Sequence, residues 1–173
     1  FRLAHPEIMV ELLLSESKMD LVKNKIDIDF RISPPEEAGV KRRMLFQSQR
    51  YLVASPAYLA KIPQLLPPAD LQNAESIAYY LPGREYVWHF KKDGEAQDVK
   101  FHPRHLTNNG MAILELARLG EGIALLDDYT VYKEIEAGQL VRLLPDYAIS
   151  NTGFEEGMYA TIVDSAIIPA KVK

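Results

Sequence analysis

The sequence predicts an α/β fold in two lobes, and three patterns along its 173 residues lead to this prediction. Short apolar runs typical of strands alternate with helical patterns at the intervals that βα units and largely parallel sheets require. A β-hairpin pattern interrupts this alternation at residues 85–102. A polar linker at 148–157 precedes one last strand, which we expect to return to the first lobe.

The first lobe begins with an apolar run at residues 8–14, directly after a His-Pro pair that disfavours helix, so we predict a buried strand. Residues 17–26 have helical spacing, because Leu21, Val22 and Ile26 fall on one side. A further strand, IDFRIS at 28–33, ends at SPPEEAG, whose prolines and glycine forbid regular structure.

The stretch RYLVASPAYLAK, residues 50–61, predicts a passage from strand to helix. Residues 51–54 form the short apolar strand. Ser55 is suited to cap the exposed amides of the next helix, and Pro56 suits its first turn, where an amide would lack a partner. PPADL at 67–71 repeats the pattern with Asp70 and predicts another short helix.

The second lobe is predicted to start with the strand SIAYYL at 76–81, followed by a hairpin that turns at Asp93-Gly94. The next elements are a helix at 111–119 stopped by Gly120, a strand at 122–126, a helix at 128–138 and a strand that starts at residue 139 and ends at Pro145. The last strand, at 158–165, leads into a helix that starts at residue 168 and that the chain does not finish.

The composition is that of a soluble globular protein with a net charge of −4, from 20 basic and 24 acidic side chains. The basic clusters KRR at 41–43 and KK at 91–92 are interpreted as solvated faces, so this segment alone is not expected to bind DNA. We see no apolar run long enough for a membrane span and no secretory signal. The absence of cysteine excludes disulfides and fits a cytoplasmic location.

The helix predicted at 111–119 is apolar on most sides, whereas Asn108, Asn109 and Gly110 stand at its start. A helix start leaves about four amides without partners and carries roughly half a positive charge. One interpretation is a plain loop and cap. The other is a site for a small anion or polar ligand, because Gly110 has no side chain to keep a ligand from the backbone.

No catalytic or metal-binding pattern emerges, and the chain is not expected to be an enzyme or to hold a metal or cofactor. The four histidines include HPRH at 102–105, but Pro103 breaks the helix that would align them. Asp127 and Asp128 could form an acid/base pair, although sequence neighbours usually point apart. Nucleophile elbows, Walker loops and dinucleotide fingerprints are absent.

Five pieces, taken in order, resemble the effector-binding domain of LysR-type transcriptional regulators: DIDFRI (27–32), RYLVASPAYLAK (50–61), NNGMAILELARLGEGIALL (108–126), EIEAGQLVRLLPDY (134–147) and IPAKV (168–172). The resemblance implies a periplasmic-binding-protein-like fold of type 2, in which two Rossmann-like lobes are joined by two crossover strands and a small molecule binds in the cleft. We expect residues 1–75 plus 157–173 to form the first effector-binding lobe and residues 76–156 the second.

The resemblance also implies a function. The family's bacterial, cytoplasmic regulators carry an N-terminal winged helix-turn-helix that binds DNA, and this chain contains no such pattern. The family would place a strand and half a helix before Phe1 and the rest of a helix after Lys173. The chain then corresponds to a sensory domain that forms a homodimer or homotetramer, binds a small effector, often a carboxylate or aromatic acid, and reaches DNA only through the absent domain. The alternative is an extracytoplasmic solute-binding protein of a transport system.

Nine residues are predicted by position in the family to bind the effector: Ser33, Pro34, Tyr80, Leu81, Pro82, Thr107, Asn108, Asn109 and Asp127. Other interpretations stay open for several of them. Ser33 and Pro34 fit a plain turn, Tyr80 fits the core, and Asp127 fits a cap for the following helix. The sequence departs from the commonest family pattern at Ser33, where glycine is frequent, and at Asp127, where proline is frequent, so no particular effector is implied.

Overall fold

The computed structural model describes residues 1, 3–15, 19–32, 39–62, 67–152 and 156–164. The chain divides into two compact units, one formed by residues 1–46 and 157–173 and the other by residues 47–156. The chain therefore passes from one unit to the other twice, at residues 46–47 and at residues 156–157. Among the described residues, none of the helices is both long and apolar enough to cross a membrane.

The first unit contains a three-stranded sheet in the order β1-β11-β2, with β1 at Asp29–Arg31, β2 at Val40–Ser48 and β11 at Glu156–Val163. β1 and β11 are antiparallel, with Phe30 opposite Ala160. The Lys41 ammonium lies 2.8 Å from the Asp164 carboxylate, and Asp164 N–H also donates to the Gly39 carbonyl at 2.8 Å. These contacts join the start of β2 to the end of β11. The strand predicted at 28–33 and the last strand are thus confirmed.

Two predictions for the first unit are wrong. Residues 8–14 form no strand, and the apolar side chains from Met9 to Leu14 are exposed. An apolar run becomes a strand only when a neighbouring strand satisfies its backbone, and no described residue pairs with this one. Residues 21–25 form a turn instead of a helix, with Leu21 buried and Val22 exposed. Residues 33–38 of the predicted SPPEEAG break, and the helix predicted from residue 168, lie outside the described residues.

The second unit is built on one large mixed sheet in the order β6-β5-β10-β3-β8-β4-β7, with β9 paired to β3. The strands are β3 (Arg50–Ala54), β4 (Ser76–Tyr79), β5 (Val87–Lys92), β6 (Glu95–Lys100), β7 (His105–Thr107), β8 (Ile123–Asp127), β9 (Val141–Leu143) and β10 (Ala148–Ser150). The helices are α1 (Pro56–Leu59), a 3₁₀ helix (Pro68–Asn73), α2 (Gly110–Arg118) and α3 (Asp128–Glu136).

Each face of this sheet carries a hydrophobic core. A hairpin-side core gathers around Leu52, Trp88, Phe90 and Leu125, while a helix-side core gathers around Val53, Ile77, Ile113, Leu114 and Leu126. The alternation of Leu52 with Val53 and of Leu125 with Leu126 sends successive side chains to opposite faces, as the strand period of two requires.

Most local predictions for this unit are confirmed. The Ser55 side chain accepts a hydrogen bond from Tyr58 N–H and Pro56 occupies the first turn of α1. The hairpin turns at Asp93 and Gly94, both with positive φ, as a type I′ turn requires. The prediction of largely parallel sheets is wrong for the described pairs, because only β4-β7 and β4-β8 are parallel. Three strands, β2, β7 and β10, are not predicted from the sequence, and β10 lies within the predicted linker.

The two compact units divide the chain at a different place from the predicted lobe boundary after residue 75. Residues 47–75 belong to the second unit because β3 is hydrogen-bonded between β10 and β8 in its sheet. β3 also pairs with β9. The assignment of the units to effector-binding lobes stays a prediction.

Candidate functional site

Three parallel strands of the second unit end at the same edge of the sheet. β4 pairs with β7 so that Tyr79 is opposite Thr107, and β4 pairs with β8 so that Ile77 is opposite Ala124. Tyr80 N–H continues the ladder by donating to the Thr107 carbonyl at 2.9 Å. In open α/β sheets, ligands bind beyond the carboxyl ends of parallel strands. This edge carries the predicted residues that follow β4, β7 and β8.

The segment after β4 holds three predicted site residues. Tyr80 is 57% exposed, which excludes the interpretation that it is a core residue. Leu81 is half-buried and its N–H donates to the Tyr86 hydroxyl at 3.3 Å, while Pro82 is exposed. A shallow pocket borders this segment and is lined by residues that include Leu81, Tyr86, Trp88, Phe101, Leu125 and Asn151.

The segment after β7 forms the start of α2. The Asn109 side chain caps the helix, because its Oδ1 accepts from Ala112 N–H at 3.0 Å. Thr107 Oγ1 accepts from Asn109 N–H at 3.3 Å, and Asn108 is exposed. The cap interpretation therefore holds for Asn109, whose amide nitrogen is not used by the cap.

Gly110 is close to a tyrosine of its own chain, a contact that the sequence does not predict. A Cβ at Gly110 would overlap the Tyr79 hydroxyl oxygen. The expectation that the bare backbone of Gly110 serves an outside ligand is therefore corrected, because the Tyr79 hydroxyl takes that space. Tyr79 packs against the helix-side core, so the packing of β4 under α2 fixes its position.

Asp127, at the end of β8, is buried among polar partners. Its residue exposure is 6%, and its Oδ1 lies 3.4 Å from Ser48 Oγ and 3.8 Å from Arg50 Nε. Ser48 Oγ also donates to Asp128 Oδ1 at 2.9 Å. Asp127 occupies the N-cap position of α3 but makes no side-chain cap hydrogen bond. Asp128 Oδ1 instead accepts from Tyr129 N–H at 2.8 Å.

Arg50 connects this edge to the end of β10. Its guanidinium donates to Asn151 Oδ1, and β3 places Arg50 opposite both Asp127 of β8 and Ile149 of β10. Four residues of this edge are not predicted from the sequence: Ser48, Arg50, Tyr79 and Asn151. They become visible only through pairing between strands, since Arg50 and Asn151 are 101 residues apart in the sequence.

The structure thus brings Tyr80–Pro82, Thr107–Asn109 and Asp127 to one edge of the second unit's sheet. Ser33 and Pro34 lie outside the described residues. In the parts of the chain that the structure describes, no three His, Asp or Glu side chains converge as a metal ion would require. His105, from the HPRH stretch, is hydrogen-bonded to Glu121 at 3.1 Å.

Replacing Asn109 by alanine is expected to lower the free energy of unfolding by about 1 kcal/mol, because Ala112 N–H loses its acceptor. Asn109→Asp, which keeps a capping oxygen, is expected to retain the stability. Urea denaturation followed by circular dichroism measures both. The exposed neighbour Asn108 supplies the control, and an Asn108→Ala variant as unstable as Asn109→Ala would contradict the cap assignment.

Tyr129 is expected to titrate far above an ordinary tyrosine. Burial is the main cause, the negative charge of Asp127 adds to it, and together they raise the pKa of Tyr129 from 10.0 to about 12. Because the neutral phenol is the favoured folded form, its contribution to stability is present below pH 10.0 and is lost as pH rises through about 12. The phenolate absorbance of the protein minus that of Tyr129→Phe gives the titration, and a midpoint near the ordinary value would contradict this prediction.

The chain resembles one protein family over most of its length. The family model described as "LysR substrate binding domain" matches residues 1–154. The regulator PtxR of Pseudomonas aeruginosa is 33% identical over 168 residues, which cover 97% of this chain and 53% of PtxR. The transcriptional activator TtdR of Escherichia coli K12 is 31% identical over 147 residues, covering 84% of this chain and 47% of TtdR. The chain therefore spans about half the length of these relatives.

Solved structures show the same fold. The regulatory domain of CrgA, a LysR-type transcriptional regulator from Neisseria meningitidis, superposes with a TM-score of 0.83 at 25% identity, covering 99% of this chain and 82% of that one. The full-length virulence activator AphB of Vibrio cholerae gives a TM-score of 0.82 at 25% identity, covering 99% of this chain and 57% of that one. The predicted fold class is confirmed by these likenesses.

Proposed function

Because the chain belongs to the LysR substrate binding domain family, we propose that it is the ligand-sensing domain of a bacterial LysR-type transcriptional regulator. The relatives that it matches are about twice as long, and one comparison structure is of a full-length regulator. DNA binding by the whole protein, through a separate domain, is part of this proposal. So are a cytoplasmic location, a homodimeric or homotetrameric state and the absence of catalysis.

The observation that supports ligand binding is the shared edge at which β4, β7 and β8 end. A helix of nine residues, α2, starts there. Its Ala112 and Ile113 amides are satisfied by Asn109, which leaves that of Met111 as a donor for a bound anion. We propose a small carboxylate or aromatic acid as the effector, with Asn108, Asn109, Thr107 and Tyr80–Pro82 as contacts from this unit. Ser33 and Pro34 stay in the proposal on the family resemblance alone.

The proposed mechanism is a shift in population. A ligand that favours one arrangement of the sensory domain changes the geometry of the oligomer and so the spacing of the DNA-binding heads. It can shift this equilibrium only by its difference in affinity for the two states, typically ~1–3 kcal/mol.

The alternative is an extracytoplasmic solute-binding protein. The relatives named above are transcriptional regulators, which favours the sensory domain over a transport receptor. A transport receptor would be monomeric, so the oligomeric state in solution separates the two functions.

The test is a thermal-shift screen of the chain against aliphatic mono- and dicarboxylates and aromatic acids. We expect at least one acid to raise the melting temperature, and Asn109→Asp to abolish the rise because its charge repels a carboxylate while its oxygen preserves the cap. Asn73→Asp, an exposed change in the 3₁₀ helix of the same unit, is the matched control. A rise that survives Asn109→Asp, or no rise with any acid, would contradict the proposed site.

A further inference from the structure

We infer that Arg50 is a positioning residue beside the proposed ligand site. The chain leaves the second unit in two places, the first and the second passage, and Arg50 holds the residues next to both of them to the end of β8. The first passage, at residues 46–47, is followed directly by Ser48 and Arg50. The second, at residues 156–157, comes shortly after Asn151. Ser48 and Arg50 contact Asp127, and Arg50 also donates to Asn151, and all three contacts lie within the second unit.

The geometry makes Arg50 the centre of this cluster. Antiparallel pairing places Arg50 directly between Asp127 and Ile149, so their side chains share one face of the sheet. The Asp127 carboxylate lies on one neighbouring strand, β8, and the Asn151 amide oxygen lies just beyond the end of the other, β10. A guanidinium can reach both because it is long and planar and carries several donors. The side chains of Arg50 and Asp127 are only 12% and 9% exposed. Their attraction is therefore weakly screened, and removing one partner leaves a buried charge.

Two further hydrogen bonds extend the cluster along the first passage. Ser48 Oγ donates to Asp128 and lies within reach of Asp127, and Asp128 N–H donates to the Gln49 carbonyl at 2.8 Å. The chain leaving β2 is therefore held to the junction of β8 and α3 by both side chain and backbone. At the other end, Asn151 lines the shallow pocket beside Leu81. The cluster thus reaches from both passages to the proposed site.

This arrangement assigns Asp127 a role different from the predicted one. Its carboxylate is used by Ser48 and Arg50, so it positions the site and does not bind the effector. A ligand that moves the end of β8 or the side chain of Asn151 would loosen or tighten both passages together. This effect of a ligand rests on the proposed function, whereas the contacts that Arg50 makes with Asp127 and Asn151 do not.

The experiment is hydrogen exchange by mass spectrometry on the ligand-free chain, followed in peptides from residues 44–50 and 148–152. We expect Arg50→Gln to speed exchange about tenfold or more in both regions, because local opening no longer breaks the shared ion pair. Arg142→Gln is the matched control. Arg142 stacks on the Tyr51 ring at 3.7 Å and bonds the Pro145 carbonyl, and its loss is expected to leave residues 44–50 unchanged.

A second pair of variants keeps the test decisive if Arg50→Gln proves unstable. In the double variant Arg50→Gln with Asp127→Asn, two amides replace the buried charges, and we expect slower exchange than in either single variant. Exchange that changes in only one of the two regions, or single effects that simply add, would overturn the inference. Because no ligand is present, such a result would leave the proposed function standing, while a failed ligand screen would leave this inference standing.

Discussion

Replacing Gly122 by alanine is expected to destabilise the second unit by about 3 kcal/mol or more, which is among the largest effects available to a single methyl group here. Gly122 has φ +146°, a conformation essentially restricted to glycine, and a Cβ would lie 2.6 Å from the Glu75 carbonyl oxygen. That contact is with backbone, so no side chain can swing away. Thermal unfolding followed by circular dichroism should show a melting temperature lower by about 6–12 °C.

Gly138 provides the control for backbone conformation alone. It has φ +70° and a Cβ there would meet nothing within 4 Å. Gly138→Ala is therefore expected to cost only about 1 kcal/mol. If both variants lost the same stability, the close approach of β8 to the start of β4, where Ile123 N–H donates to Glu75, would not be the reason for glycine at 122.

The parts of the fold that were predicted correctly depend on neighbours in sequence. Ser55 and Pro56 start α1, Asp93 and Gly94 turn the hairpin, and Asn109 caps α2. In each case one side chain or one φ angle decides the local structure within a few residues. These local structures can be predicted from the sequence because they do not depend on tertiary packing.

The parts that were missed depend on pairing between distant residues. The apolar pattern of residues 8–14 favours a strand, yet a strand needs a partner, and none is present among the described residues. β10 was hidden in a polar stretch because Ala148–Ser150 is ordered by β5 and β3 on either side. The same holds for the site, where the individual residue types carry no sign that Tyr79 reaches Gly110 or that Arg50 reaches Asn151.

The resemblance to a family located the candidate edge but not the roles within it. As effector contacts, Tyr80 and Asp127 are predicted from position in the family alone, whereas the start of the helix also points to Asn109. The structure separates them by burial and partners, since Tyr80 is exposed, Asn109 caps a helix and Asp127 is buried beside Arg50. The role of each residue is therefore assigned from the geometry, because position in the family does not distinguish a residue that binds the effector from one that holds its neighbours in place.

Trp88→Ala is the second variant expected to have a large effect, lowering the free energy of unfolding by about 3–5 kcal/mol. The Trp88 side chain is 2% exposed and its ring stacks on Phe101, with centroids 3.9 Å apart. It fills the hairpin-side core between β5 and the segment that leads into β7. Alanine would leave a cavity that a close-packed sheet cannot collapse to fill. Urea denaturation followed by circular dichroism measures the loss, since Trp88 is the sole tryptophan and its fluorescence disappears with it.

Tyr132→Ala is the matched control, because Tyr132 is an aromatic residue of the same unit that is 48% exposed. Its removal is expected to cost less than about 1 kcal/mol. A small loss for Trp88→Ala would mean that the hairpin is held to the sheet by its strand pairing with β10 alone. In that case the pocket beside Leu81, whose wall includes Trp88, would widen without unfolding, and the variant should gain affinity for larger aromatic acids. A large loss instead ties the shape of that pocket to the stability of the whole unit.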